Sequence, residues 1–124
     1  MKVLTIKEPW ASLIVQGFKK YEFRSWKTNY RGKILIHAGL SKENVEVFEE
    51  YNLDISSGEI IGEAYITDCT LVDDIFDKKL REIDKNVYGN NHVGLYAFKL
   101  DRVVKYKRKI KAKGKLGLWN YIKK

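Results

Sequence analysis

Residues 95–112, LYAFKLDRVVKYKRKIKA, alternate apolar with charged or polar side chains over most of their length. Alternation is the period of a β-strand, whose successive side chains point to opposite faces. A chain with such a run has to build a sheet around it, and other stretches offer the partners. Val3–Lys7 is a short apolar-rich strand candidate. In KILIHA, residues 33–38, the pattern turns Ile34, Ile36 and Ala38 to a core, with Lys33, Leu35 and His37 opposite. Residues 59–74, EIIGEAYITDCTLVDD, form a long β stretch in which Gly62 marks a bulge or a close backbone approach. GLWNYI closes the chain.

Short helices are predicted between these strands. Pro9 suits a first helical turn, and the helix it opens runs to Gln16 and ends at Gly17. Ser41 reads as the N-cap of a second helix, with Val45, Val47 and Phe48 as its apolar stripe to about Tyr51. The third, within residues 73–85, is amphipathic through Ile75, Phe76, Leu80 and Ile83, and the acids of VDDIFD cap its start. Five or six strands with two or three helices indicate an α+β domain or a small closed barrel. With one proline, dispersed glycines and no linker, residues 1–124 read as a single domain.

Charge is segregated along the chain. Residues 1–42 carry a net +7, residues 43–98 a net −9 and residues 99–124 a net +10. If folding joins the two ends, they make one cationic surface suited to a polyanion, with the acidic middle facing away. There is no apolar run long enough to span a membrane and no signal-peptide pattern at the N-terminus. Cys69 has no second cysteine to pair with, which suits a reducing compartment, so a cytoplasmic monomer is expected. His37, His92 and Cys69 lack metal-ligand spacing, so neither a metal nor another cofactor is expected.

The stretch YEFRSW, residues 21–26, raises the functional question. As a strand it turns Tyr21, Phe23 and Ser25 one way and Glu22, Arg24 and Trp26 the other. An indole beside a guanidinium offers a stacking platform and a charged fork for a base and a phosphate, and Glu22 can accept from exocyclic amines. Lys19 and Lys20 precede this face, and Trp10 or Ser12 of the first helix is expected to join it. His37 is a further pocket candidate, although a structural histidine is the commoner case. Lys107, Lys109 and Lys111 form a stripe able to follow phosphates, or merely protect an edge strand. Trp119 sits beside polar residues near the C-terminus and is grouped with the binding candidates.

IKEPWASLIVQGFKKYEFRSW, RGKILIHAG and the closing GLYAFKLDRVVKYKRKIKAKGKLGLWNY resemble the ASCH domain, the homology domain named for an activating signal cointegrator. The resemblance rests on Lys19-x-x-Glu22-x-Arg24-x-Trp26 after a helix bearing Trp10, and it spans essentially the whole chain. It implies a PUA-like fold, a small mixed β-barrel with two to three flanking helices, and binding of RNA or single-stranded nucleic acid in a cleft lined by this motif. One branch of the family removes the acetyl group from an acetylated cytidine. This chain is similar to that branch at Lys19 and Arg24 but has Glu22 where the branch has threonine. Glu63 and Glu82 are the candidates for the branch's catalytic glutamate. Two readings result. One is a nucleic-acid-binding module. The other is an amidohydrolase of a nucleoside-like small molecule, in which Lys19 and Glu22 are catalytic and Lys20 and Arg24 depress the Lys19 pKa. A protein-interaction domain with incidental charge is a weaker third.

Overall fold

Six strands among the described residues join in one sheet of order β2-β5-β4-β3-β1-β6. The computed structural model describes residues 1–123. The elements are β1 (Lys2–Glu8), α1 (Trp10–Val15), β2 (Tyr21–Arg24), β3 (Gly32–Lys42), a 3-10 helix (Val45–Tyr51), β4 (Glu59–Leu71), α2 (Asp74–Ile83), β5 (Tyr96–Lys111) and β6 (Leu118–Asn120). β1 runs parallel to β3, and every other pairing is antiparallel. This is the α+β class expected. The sheet, however, stays open: its two edges, β2 and β6, are short and do not meet.

The long alternating run becomes β5, whose 16 residues pair with both β4 and β2. Such a strand has to curve, and three register shifts against β4 let it do so. At one of them Arg102 takes a left-handed backbone conformation with φ of 50°. Its guanidinium then lies over the Tyr65 ring, 4.8 Å from the centroid.

The sheet is buried on both faces at its centre, which corrects the division expected for residues 33–38. Ile34, Ile36 and Ala38 enter the main core with Leu4, Ile14 and Phe98. Leu35 on the opposite face is buried as well, in a second cluster with Val3, Ile60 and Trp119. Each fully buried aliphatic side chain contributes roughly 1.5–3 kcal/mol. Strand β5 and helix α1 both close on Gly62, where a Cβ would lie 2.4 Å from Val104 O and 2.8 Å from Val15 Cγ1. Gly62 is therefore the close-approach glycine anticipated from sequence.

A third cluster unites Leu13, Phe48, Leu80, Val87 and Tyr88 beneath the helices. Asp73 caps α2 as expected, accepting from Phe76 N at 2.8 Å. The segment after β3 departs from expectation. Ser41 is not a helix cap, because pairing of Glu8 with Lys42 prolongs β3 through it. The helix begins only after Asn44, a left-handed residue, and is of the 3-10 type.

Candidate functional site

β2 is an edge strand of four residues, and its two faces are put to different uses. Tyr21 and Phe23 pack onto the third cluster, edge-on to Tyr88. On the other face Glu22 is held between two cations. Lys19 Nζ lies 3.0 Å from Glu22 Oε1. Arg24 donates to Glu22 Oε2 through Nε at 3.2 Å and Nη2 at 2.9 Å, and Nη2 also reaches Thr5 O at 2.7 Å. Lys19 is only 4% exposed and also donates to Tyr21 O. Burial lowers its pKa, the Glu22 carboxylate offsets that in part, and Arg24 adds to the lowering. Burial pushes the Glu22 carboxyl up, but the charges of Lys19 and Arg24 outweigh it and leave the pKa below the ordinary value.

This trio lies in a cleft of about 710 Å³, within the size range of small-ligand sites. Trp10 and Phe23 provide aromatic rings, at 5.8 Å and 4.9 Å from Lys19 Nζ. Trp10 is fixed edge-on to Phe48, and its Nε1 donates to Glu43 Oε1 at 2.7 Å. His92 lines the cleft and stacks on Phe23, with ring centroids 3.8 Å apart. Asp77 lies 3.2 Å from His92 Nδ1 and pairs with Arg81. A carboxylate only accepts, so Nδ1 carries the proton and Nε2 is left as an acceptor. Burial lowers the His92 pKa, the Asp77 hydrogen bond counters it, and the charge of Lys19 lowers it further. His92 is accordingly neutral at pH 7.

Of the residues singled out from sequence, Trp10, Lys19, Glu22 and Arg24 line the cleft together. The others do not. Trp26 lies beyond the end of β2, packed against the main core and edge-on to Phe98 at 5.2 Å. Ser12 is fully buried and donates to Glu8 Oε2 at 2.6 Å. Its backbone N–H and that of Ser56 complete the cradle of the equally buried Glu8, each at 2.8 Å. Lys20 is exposed outside the cleft and does not contribute to the lowered Lys19 pKa.

His37 and Trp119 belong to a buried relay beneath β6. His37 Nε2 donates to Ala112 O at 2.6 Å, which leaves Nδ1 to accept from Thr5 Oγ1 at 3.2 Å. Trp119 Nε1 in turn donates to Thr5 Oγ1 at 3.0 Å. Every donor in this chain has one acceptor, so these side chains fasten the C-terminal segment to the sheet.

Lys107, Lys109 and Lys111 do not line the cleft either. Lys109 joins Lys105 in gripping Asp54, at 3.0 Å and 3.2 Å. The cleft takes Lys115 from the basic C-terminal region instead. The acidic middle does not face away from the basic ends. β4, which comes from that middle, lies between β3 and β5. Glu63 thus meets Lys33 at 3.2 Å and the Tyr106 hydroxyl at 2.8 Å. Glu63 and Glu82, the two candidates for a catalytic glutamate, both lie outside the cleft.

Sequence reasoning missed Lys7, Phe23, Glu43 and His92. Phe23 turns away from Glu22 along the strand, as expected, yet its ring borders the cleft beside Lys19 and His92. His92 had a detectable signal, a lone histidine in a turn-rich loop, but its partner Asp77 is 15 residues away on α2.

An open six-stranded sheet with helices packed on it and a cleft beside an edge strand is the α+β architecture expected. The chain belongs to the ASCH domain family, whose model matches residues 4–114. It is 35% identical to human activating signal cointegrator 1 over 80 residues, a match covering 53% of this chain and 14% of that protein. The mouse protein of the same name is 36% identical over the same shares. The match therefore takes in only a small part of those relatives' length. ASCH from Zymomonas mobilis has a similar fold, with a TM-score of 0.57 at 20% identity, covering 89% of this chain and 72% of that one. A mutant form of it gives a TM-score of 0.53. No described helix is long and apolar enough to cross a membrane.

Proposed function

We propose that this domain binds RNA or single-stranded nucleic acid, with one nucleotide entering the cleft. The observation behind this reading is the lining itself. Lys7, Lys19, Arg24 and Lys115 outnumber Glu22 and Glu43, and the rings of Trp10 and Phe23 lie among them. Exposed Lys7 and Lys115 suit phosphates, and aromatic faces suit bases of any sequence. A titration of labelled single-stranded RNA against salt tests it. The logarithm of affinity should fall with that of salt by roughly 0.7 per phosphate neutralised. Lys7→Ala and Lys115→Ala should each lower that slope by about one phosphate. Affinity indifferent to salt would sink the reading.

One observation favours a second reading, an amidohydrolase acting on a modified nucleoside: a buried lysine of lowered pKa lies in a cleft of small-ligand size. In that reaction unprotonated Lys19 takes a proton from the water that attacks the acyl carbon. The carbon–nitrogen bond then breaks, and the amine departs with that proton. Glu22, held by two cations, serves to position Lys19 and Arg24. Incubation with a panel of acylated nucleosides, followed by mass spectrometry, should show deacylation by the parent and none by Lys19→Met. No turnover by the parent would exclude it.

A further inference from the structure

A carboxylate at the mouth of a cleft for a polyanion is a cost, since it repels every phosphate that approaches. Glu43 occupies such a position, lining the cleft while exposed to solvent. It is also held in place. Its Oε1 takes the Trp10 indole N–H at 2.7 Å, and its backbone N–H donates to Glu8 O at 2.9 Å. The half-exposed indole could have satisfied its N–H with water, so that need alone does not call for a carboxylate.

The deeper carboxylate is already committed. Glu22 is nearly buried and already accepts three hydrogen bonds from Lys19 and Arg24, so most of its accepting capacity is spent on them. Asn91 Oδ1 likewise accepts from Val93 N at 3.0 Å. Glu43 Oε2, by contrast, has no hydrogen-bond partner among the described residues. It sits beside the Trp10 ring that the binding reading assigns to a base.

We infer that Glu43 gives the cleft a preference for bases bearing an exocyclic amine, and specifically for cytosine over uracil. This rests on the nucleic-acid-binding reading above. Cytosine and uracil have nearly the same shape and stack alike, but position 4 is an amino donor in one and a carbonyl acceptor in the other. A carboxylate accepts from the amine and repels the carbonyl. Trp10 couples the two, because the indole that borders the cleft also holds the acid through its N–H.

The test compares binding of labelled oligocytidylate and oligouridylate, by fluorescence anisotropy at one salt concentration, to the full chain and to Glu43→Gln. The parent should prefer oligocytidylate by about five-fold, the scale of one solvent-exposed base contact. Glu43→Gln keeps an oxygen for Trp10 but can donate as well as accept, so the ratio should fall to near one. A parent ratio of one overturns the inference while leaving the binding reading in place. So does a Glu43→Gln variant that binds both oligomers more tightly by the same factor, for then Glu43 acts only by its charge. Failure of the parent to bind either oligomer sinks the binding reading and this inference with it.

Discussion

The ammonium of Lys19 and the carboxylate of Glu22 are 3.0 Å apart and almost wholly shielded from water. They are not equal partners, because Glu22 has a second cation in Arg24. Glu22→Gln would leave Lys19 buried beside Arg24 with no counter-charge, at a cost of roughly 3–5 kcal/mol. Lys19→Met leaves Glu22 with Arg24 and should cost less than about 2 kcal/mol. Urea denaturation of the two variants measures the asymmetry, and equal losses would contradict it.

Stability should fall in two stages on acidification. The His92 pKa lies below its ordinary value of 6.5, so the unfolded chain takes up a proton first as pH drops through that value. Stability is then lost from about pH 6.5 downward, as far as the folded-state pKa. Glu22 and Asp77 also have depressed pKa values, each against a burial effect that acts the other way. Their stabilisation is present above the ordinary values of 4.5 and 3.8 and is lost below them as pH falls through the folded pKa. Unfolding curves across the acid range should therefore show a first decline that His92→Gln removes and a second that it retains.

Two tryptophans should separate binding from folding. Trp10→Ala removes a cleft wall and should weaken oligonucleotide binding by about 1–3 kcal/mol. Trp26→Ala removes a contact with Phe98 and should cost about 2–3 kcal/mol of stability, less than a fully buried tryptophan. The folded Trp26→Ala protein should bind oligonucleotide like the parent. Weakened binding there would return Trp26 to the site.

Thr5 Oγ1 links Trp119 Nε1 to His37 Nδ1 in the buried relay. Thr5→Val conserves shape but strands one donor and one acceptor, each at about 1–3 kcal/mol. Hydrogen exchange should also quicken in the β1–β6 ladder, Lys2–Leu4 with Leu118–Asn120. Unchanged exchange would show that the relay does not hold β6.

The alternation of residues 95–112 and 33–38, the cap at Asp73 and the tight glycine at residue 62 were all legible in the chain. Each is local: strand period, a side chain reaching its own backbone, a missing Cβ. Glu22 and Arg24 were legible for the same reason, since a short strand turns them to one face, and Lys19 lies just before that strand, within reach of Glu22. Tertiary structure decided the rest. Trp26 left the strand face because β2 pairs with β5 only through Arg24. His37 was claimed by Thr5 and Ala112, the latter 75 residues away. The charge blocks, separate in sequence, were interleaved because β4 from the acidic middle pairs with basic strands on both sides. Glu43 entered the cleft only because β3 ran past Ser41, a pairing decided by β1. Period and capping act within a few residues, whereas the availability of a side chain for a ligand depends on which distant groups claim it first.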